Sequence, residues 1–295
     1  MTGNDPGHDF SGDGSTGEGF TEDAAPPAPD GVDINKPAAA RIYDYYLGGA
    51  HNFKADREFA EQVISVIPFV RNIARVNRSF LRRTVTWLAK QGVDQFLDIG
   101  SGIPTVGNVH EIAQRINPDA RTVYVDYEHV AVAHSRMILD EQDPHRERTD
   151  IVQADLRDPA AVLDSPITAR LLDFDRPIAV MIVAVIQFIG DADRPGELLA
   201  QYRDRLTSGS YLTLSNLSSD EVPPEWKAAG DKVVELYKHT TNPLFLRTRE
   251  EFTAFFTGFE LVEPGVVWEP QWRPDEPVPA DPSRSMCLGG VGRKP

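Results

Sequence analysis

The 295-residue sequence holds one cysteine, Cys287. It can therefore build neither an intramolecular disulfide framework nor a cysteine-rich zinc site. No strongly basic run is present, and 30 basic residues stand against 45 acidic ones for a formal net charge of −15. That balance argues against binding nucleic acid through its phosphates. No apolar run reaches the roughly 20 residues of a membrane helix; the longest, IAVMIVAVIQFI (178–189), has the length of a buried strand. The opening MTGNDPGHDF lacks the basic and apolar regions of a signal peptide. These absences predict a cytoplasmic protein with a small-molecule partner, no nucleic acid and no membrane. They carry no signal for oligomeric state.

What is present divides into three parts. Residues 1–33 carry eight acidic side chains and no Lys or Arg, among Gly, Pro and Ser. Such a segment buries too little apolar area to offset its ordering entropy, so a disordered, solubilising tail is expected. Residues 34–93 read as an N-terminal helical cap or lid: PAAARIYDYYL, REFAEQVISVI and ARVNRSFLRRTVTWLAK place apolar side chains at three- and four-residue spacing. From 94 to 295 short apolar strands alternate with helical stretches: QFLDI (95–99), RTVYVD (121–126), DIVQA (150–154), the run at 178–189 and SYLTLSN (210–216). That rhythm predicts an α/β fold with a mostly parallel sheet covered by helices on both faces. RTREEFTAFF (247–256) reads as a capped helix, and FELVEPGVVWEP (259–270) with SMCLGGVGR (285–293) as a closing hairpin.

The stretch QFLDIGSGIPT (95–105) is a strand, a tight glycine turn and a helix start. A dinucleotide turn reads G-x-G-x-x-G. Gly100 and Gly102 match, but Thr105 stands at the third position, and Asp98 ends the strand where its carboxylate would repel a pyrophosphate. The same carboxylate would attract a cation. S-adenosylmethionine carries a sulfonium and an ammonium and no phosphate, so D-x-G-x-G is more consistent with that cofactor than with NAD. RTVYVD then ends in Asp126, placed to accept ribose hydroxyls, and QADLRDP offers Asp155 for the adenine amino group. Asp98, Gly100, Ser101, Gly102, Asp126, Tyr127, Asp155 and Leu156 form the expected cofactor set.

These residues and their neighbours resemble an actinobacterial S-adenosylmethionine-dependent methyltransferase family long known as a domain of unknown function. The resemblance runs from about Lys36 to the C-terminus, on KPAAARIYDYYLGGAHNFKADREFA, ARVNRSFLRR, QFLDIGSGIPT, NVHEIAQ, YVDYEHVAVAHSR, ADLRDP, PGVVW and WRP. It implies the Rossmann-like class I methyltransferase fold, with a seven-stranded sheet whose last strand is antiparallel, and no known substrate. Three positions depart from the family pattern. Tyr127-Glu128-His129 replaces Asn-Asp-Pro, Ile186-Gln187 replaces Leu-His, and Ser215-Asn216 replaces Ser-His. Two histidines that would face the transferred methyl are absent.

Other residues enter as candidates. The double glycine of YDYYLGGAHNF suggests a lid loop approaching the cofactor, with Tyr46 and Asn52 touching it and Tyr43 facing the substrate. One of Arg75, Asn77 and Arg78 pairs with the methionine carboxylate, Arg75 being the candidate taken. Gln187 and Asn216 face the substrate and cannot titrate, so no catalytic base is assigned. His110-Glu111 lacks a second His at zinc-ligand spacing, and no metal is expected. The reading is a methyltransferase acting on a small molecule. The alternatives are a weak or inactive module binding S-adenosylmethionine or S-adenosylhomocysteine, and, less favoured, an NAD-dependent oxidoreductase.

Overall fold

The computed structural model describes residues 32–104 and 107–295. Residues 1–31, nearly all of the expected tail, and Thr105 lie outside the described residues.

Three helices come first. α1 (Ala39–Leu47) buries Ile42 and Tyr46 one turn apart and ends where Gly48 adopts φ +85°. α2 (Lys54–Val66) starts where the Asp56 carboxylate accepts the Phe53 N–H at 2.8 Å, and stops ahead of Pro68. The residue before a proline is pushed out of helical geometry. α3 (Val70–Lys90) is the long element. It buries Ile73, Asn77, Phe80, Leu81, Thr84, Val85 and Leu88 along one stripe, the pattern of a helix lying on a sheet.

The described strands form one eight-stranded sheet in the order β3-β2-β1-β4-β5-β8-β6, with β7 also paired to β8. β1 (Gln95–Ile99), β2 (Arg121–Asp126), β3 (Thr149–Gln153), β4 (Ala179–Ile182) and β5 (Tyr211–Leu217) are parallel; β8 (Cys287–Arg293) is antiparallel to β5. The expected closing hairpin is subdivided. Residues 259–270 supply two two-residue strands, β6 (Glu260–Leu261) and β7 (Val267–Trp268), both against β8, because the backbone turns at Gly265 with φ +84°. β8 is rich in glycine because rings lie on it: a Cβ on Gly289 would meet the Phe80 ring at 2.8 Å, and one on Gly292 would meet Phe259 at 2.7 Å.

The run 178–189 is shorter as a strand than its apolarity suggests. β4 stops at Ile182; Ala184 takes φ +59°, and its N–H donates to the Ser215 side-chain hydroxyl at 2.9 Å rather than to a ladder carbonyl. Ile186–Phe188 then forms one 3-10 turn. Ile186, Phe188 and Ile189 are apolar because they pack beneath other elements, not because the strand continues.

Helices cover both faces. α4 (Val109–Gln114) and α5 (His129–Gln142) join α3 on one side, packing Val109, Ile112 and Leu139 against Phe96 and Tyr124. α6 (Pro159–Leu163), α7 (Pro166–Leu171), α8 (Pro195–Arg205) and α10 (Arg249–Ala254) cover the other, with Leu199, Tyr202 and Phe252 in its core. α9 (Pro224–Tyr237) packs with α1 and α2 over a third cluster containing Phe59, Val63, Tyr237 and Leu244. Among the described residues no helix is long and apolar enough to cross a membrane. The strand order reverses between β1 and β4, and a crevice opens at the carboxyl ends of strands at such a switch point.

Candidate active site

Asp98 is the penultimate residue of β1, Asp126 ends β2 and Asp155 follows β3 by two residues. Three carboxylates thus sit along one edge of three adjacent parallel strands. Beyond Ile99 the chain turns through Gly100 and Gly102, at φ +73° and +67°, a conformation that glycine alone adopts cheaply. Gly100 is also needed for space, since a Cβ there would lie 2.3 Å from a Val185 methyl. The Gly100 N–H donates to the Val125 carbonyl at 2.7 Å, and the Gly102 N–H to the Asp126 carboxylate at 2.7 Å. The other Asp126 oxygen accepts the Glu128 N–H at 2.9 Å.

These acids open onto a cavity of about 240 Å³. Burial pushes Asp98 up to about 7, against the nearby Arg78 guanidinium and with the help of Asp126. Burial likewise pushes Asp126 up to about 6, although backbone N–H groups of Glu128 and Gly102 oppose it. A buried carboxyl poised near neutrality gains from a cation brought beside it. Asp155 behaves differently. Burial raises it, but Arg157, which holds it through side-chain and backbone hydrogen bonds, wins and lowers it.

The cavity has two ends. The strand-end acids, Ser101, Tyr127, Leu156 and Arg78 line one; Tyr43, Tyr46, Phe188, Tyr237, Leu244 and Cys287 line the other, beneath α1 and α9. Gln187 lies on the wall, its Oε1 accepting the Leu217 N–H at 3.2 Å. The Ser101 hydroxyl is buried with no partner among the described residues.

Three candidates lie elsewhere. Asn52 is buried inside its own loop, donating to Asp44 at 2.8 Å and to the Gly49 carbonyl at 2.9 Å, and does not line the cavity. The double glycine approaches that same aspartate: a Cβ on Gly49 would fall 2.0 Å from an Asp44 oxygen. Arg75 points to solvent on α3, whereas Asn77 and Arg78 of the same helix line the cavity. Asn216 is fully buried in β5, donates to the Leu217 carbonyl, and is not among the lining residues. Its neighbour Leu217 takes the wall position. Tyr43 and Tyr46 do line the cavity; the Tyr43 hydroxyl donates to the Ala74 carbonyl at 3.0 Å and accepts from Asn77 at 2.9 Å.

Contacts between residues far apart in sequence close the site. Arg41 of α1 reaches Asp56 at 2.8 Å and Glu128 at 2.9 Å, all three buried. Asn242 of the loop after α9 accepts the Ala39 N–H at 3.2 Å and donates to the Tyr127 hydroxyl. His110 is occupied structurally, its ring nitrogens 2.7 Å from the Tyr124 hydroxyl and 2.8 Å from Gln142. Glu111 caps its own helix, accepting the N–H groups of Gly107 and Asn108 at 2.9 and 3.1 Å. Two backbone donors at the entrance to α4 are therefore already bound to a carboxylate.

Comparison with known proteins adds to this geometry. Residues 25–295 match the model of a family described as S-adenosyl methyltransferase. The chain is similar to a candidate methyltransferase of known structure from Thermobifida fusca YX, at 41% identity over 90% of this chain and 98% of that one, with a TM-score of 0.83. It is similar also to a DUF574 family protein from Streptomyces avermitilis, at 37% identity over 89% and 100% of the two chains, with a TM-score of 0.81. An O-methyltransferase family protein from Burkholderia thailandensis shares the fold alone, at 14% identity over 88% and 64% of the chains and a TM-score of 0.51. No curated protein matches.

Proposed function

Since the chain belongs to the S-adenosyl methyltransferase family, with S-adenosylmethionine as its cofactor, we propose that it transfers the cofactor methyl to a small molecule held at the apolar end of the cavity. The observation that carries this is the continuity of one cavity from three strand-end acids to an apolar chamber. The residues fit the cofactor. Asp98 and Arg78, side by side, suit the ammonium and carboxylate of a methionine moiety. Each Asp126 oxygen accepts one backbone N–H and keeps a lone pair for a ribose hydroxyl. Asp155, at the outer strand, suits an adenine amino group. When bound, S-adenosylmethionine supplies an electrophilic methyl on a sulfonium leaving group. The chain's own work is to hold the acceptor in line and to keep water out, so positioning dominates.

A non-catalytic binding module is the second reading, favoured by the absence of His and Lys from the described cavity lining. Calorimetric titration with S-adenosylmethionine, S-adenosylhomocysteine and NAD tests the site: the first two bind and NAD does not. NAD binding in their place would overturn the assignment. Release of S-adenosylhomocysteine that depends on an added acceptor separates the enzyme from the module.

A further inference from the structure

The cavity distributes its charge unevenly. Arg78, Asp98, Asp126, Glu128, Asp155 and Arg157 gather at the carboxyl edge of the sheet. Toward the cap one carboxylate remains, Asp44, and it is committed to the His51 N–H at 2.9 Å and to Asn52 at 2.8 Å. The polar groups that remain at this end are the hydroxyls of Tyr43, Tyr46 and Tyr237, the Asn77 and Gln187 amides and the Cys287 thiol. Burial pushes Tyr237 up to about 12 and raises Tyr43, Tyr46 and the Cys287 thiol further above neutrality. At pH 7 every one of them is protonated. Apart from the committed Asp44 carboxylate, no lining group at this end can take a proton from an acceptor, among the described residues.

Building on the methyltransferase reading, we propose that the apolar chamber takes an uncharged, ring-bearing molecule whose nucleophilic atom already carries a free lone pair, a heteroaromatic nitrogen or a thioether sulfur. Such an acceptor needs no base. Its lone pair forms the new bond to the methyl carbon, the carbon–sulfur bond of the sulfonium breaks with its electrons left on sulfur, and the positive charge moves to the acceptor. No proton is released. A hydroxyl acceptor would have to lose one, with no uncommitted lining group in the chamber to receive it. An anion would lose its hydration, and Arg78, the lining cation whose field reaches Tyr43, is assigned to the cofactor carboxylate. The walls suit the charge that develops on a lone-pair acceptor. Phe188 and Tyr237 stand with ring centroids 6.1 Å apart, and aromatic faces attract cations most strongly where water is excluded.

The test uses the full chain and four matched rings: quinoline, methyl 2-naphthyl sulfide, 2-naphthol and 2-naphthoate. Calorimetry without cofactor comes first. The three neutral rings are expected to bind, and naphthoate at least about tenfold more weakly, roughly 1.4 kcal/mol. With S-adenosylmethionine at pH 7, mass spectrometry is expected to show methylated cations from quinoline and the sulfide, and 2-naphthol methylated at least about tenfold more slowly. Naphthoate binding as tightly as quinoline would overturn the proposal. So would 2-naphthol reacting as fast as the lone-pair rings, or neither lone-pair ring giving product while S-adenosylmethionine binds. Failure of S-adenosylmethionine itself to bind would instead remove the parent reading.

Discussion

Arg41 of α1 and Glu128, two residues beyond Asp126, form a buried ion pair of 2.9 Å that spans the join between the N-terminal helices and the sheet. The same guanidinium holds Asp56 of α2 at 2.8 Å, and the Glu128 N–H holds Asp126 at 2.9 Å. The helices are thus wired to the carboxylate assigned to ribose. Arg41→Ala leaves two buried carboxylates without their cation, a loss of about 3–5 kcal/mol. The expected result is faster proteolytic cleavage within residues 38–66 and weaker S-adenosylmethionine binding by calorimetry. Unchanged affinity would show that the helices and the cofactor end are independent.

Arg75 and Arg78 differ by three positions on α3, yet Arg78 alone of the two lines the cavity. Arg78→Ala should weaken S-adenosylmethionine binding by about 1.5–3 kcal/mol, the scale of a hydrogen bond to a charged group. Arg75→Ala should leave it within a factor of two. Equal effects of the two substitutions would place the methionine carboxylate elsewhere.

Asp98 sits near 7 with the cavity open, and a bound ammonium favours its ionised form. Below that value binding must first expel a proton, so affinity should rise with pH between about 5.5 and 7, by at most tenfold per unit for one proton. Asp98→Asn should weaken S-adenosylmethionine and S-adenosylhomocysteine alike, since both carry the ammonium, and should flatten that rise. Isothermal titrations at three pH values decide it.

Glu269 is fully buried, with both carboxylate oxygens lacking a hydrogen bond among the described residues, and burial pushes it up to about 8 despite Ser215 and Arg83. Folded Glu269, Asp98 and Asp126 hold protons that the unfolded chain gives up near pH 4. The folded state therefore binds more protons from about pH 4 to 8, and stability falls as pH rises through that window. His110 and His134, both lowered chiefly by burial, work in the opposite sense as two groups against three. The melting temperature should be lower at pH 8 than at pH 5.5, with Glu269→Gln reducing the difference. A melting temperature that climbs across this range would contradict the assignment.

Much of this arrangement was legible in the sequence where a local rule governs it. QFLDI and RTVYVD coincide with β1 and β2, and β3 begins one residue ahead of DIVQA. Strand ends and glycine turns are local, so Asp98, Gly100, Gly102, Asp126 and Asp155 were placed on one edge by order alone. Thr248 with Glu251 likewise announces the start of α10. What escaped depends on docking. Helical spacing puts Arg75 and Arg78 on neighbouring faces, and only the packing of α3 against the sheet decides which looks inward. Asn216 and Leu217 alternate on β5, so a one-residue judgement of facing exchanges them. Asn52 reads as a loop residue free to touch a ligand, but its partner is Asp44, eight positions earlier. Arg41 and Glu128 are 87 positions apart, and no local rule pairs them. The apolar length of 178–189 combined a strand with a turn, in which Ile186 and Ile189 join the core of the sheet and Phe188 the cluster beneath α1 and α9.

The Phe80 ring lying on Gly289 has a consequence for how the protein can change over generations. A side chain on α3 and an absence of one on β8 form a single fit, and Arg83 strengthens the link by donating to the carbonyls of Glu269 and Trp272 at 2.7 and 3.0 Å. The two ends of the chain are therefore not separately exchangeable parts. A recombination that brings in the first ninety residues of a relative without its last strand would pair a foreign ring with a native glycine, or a ring with a Cβ. Chimeras should fold only when α3 and the segment from β7 to β8 come from the same parent.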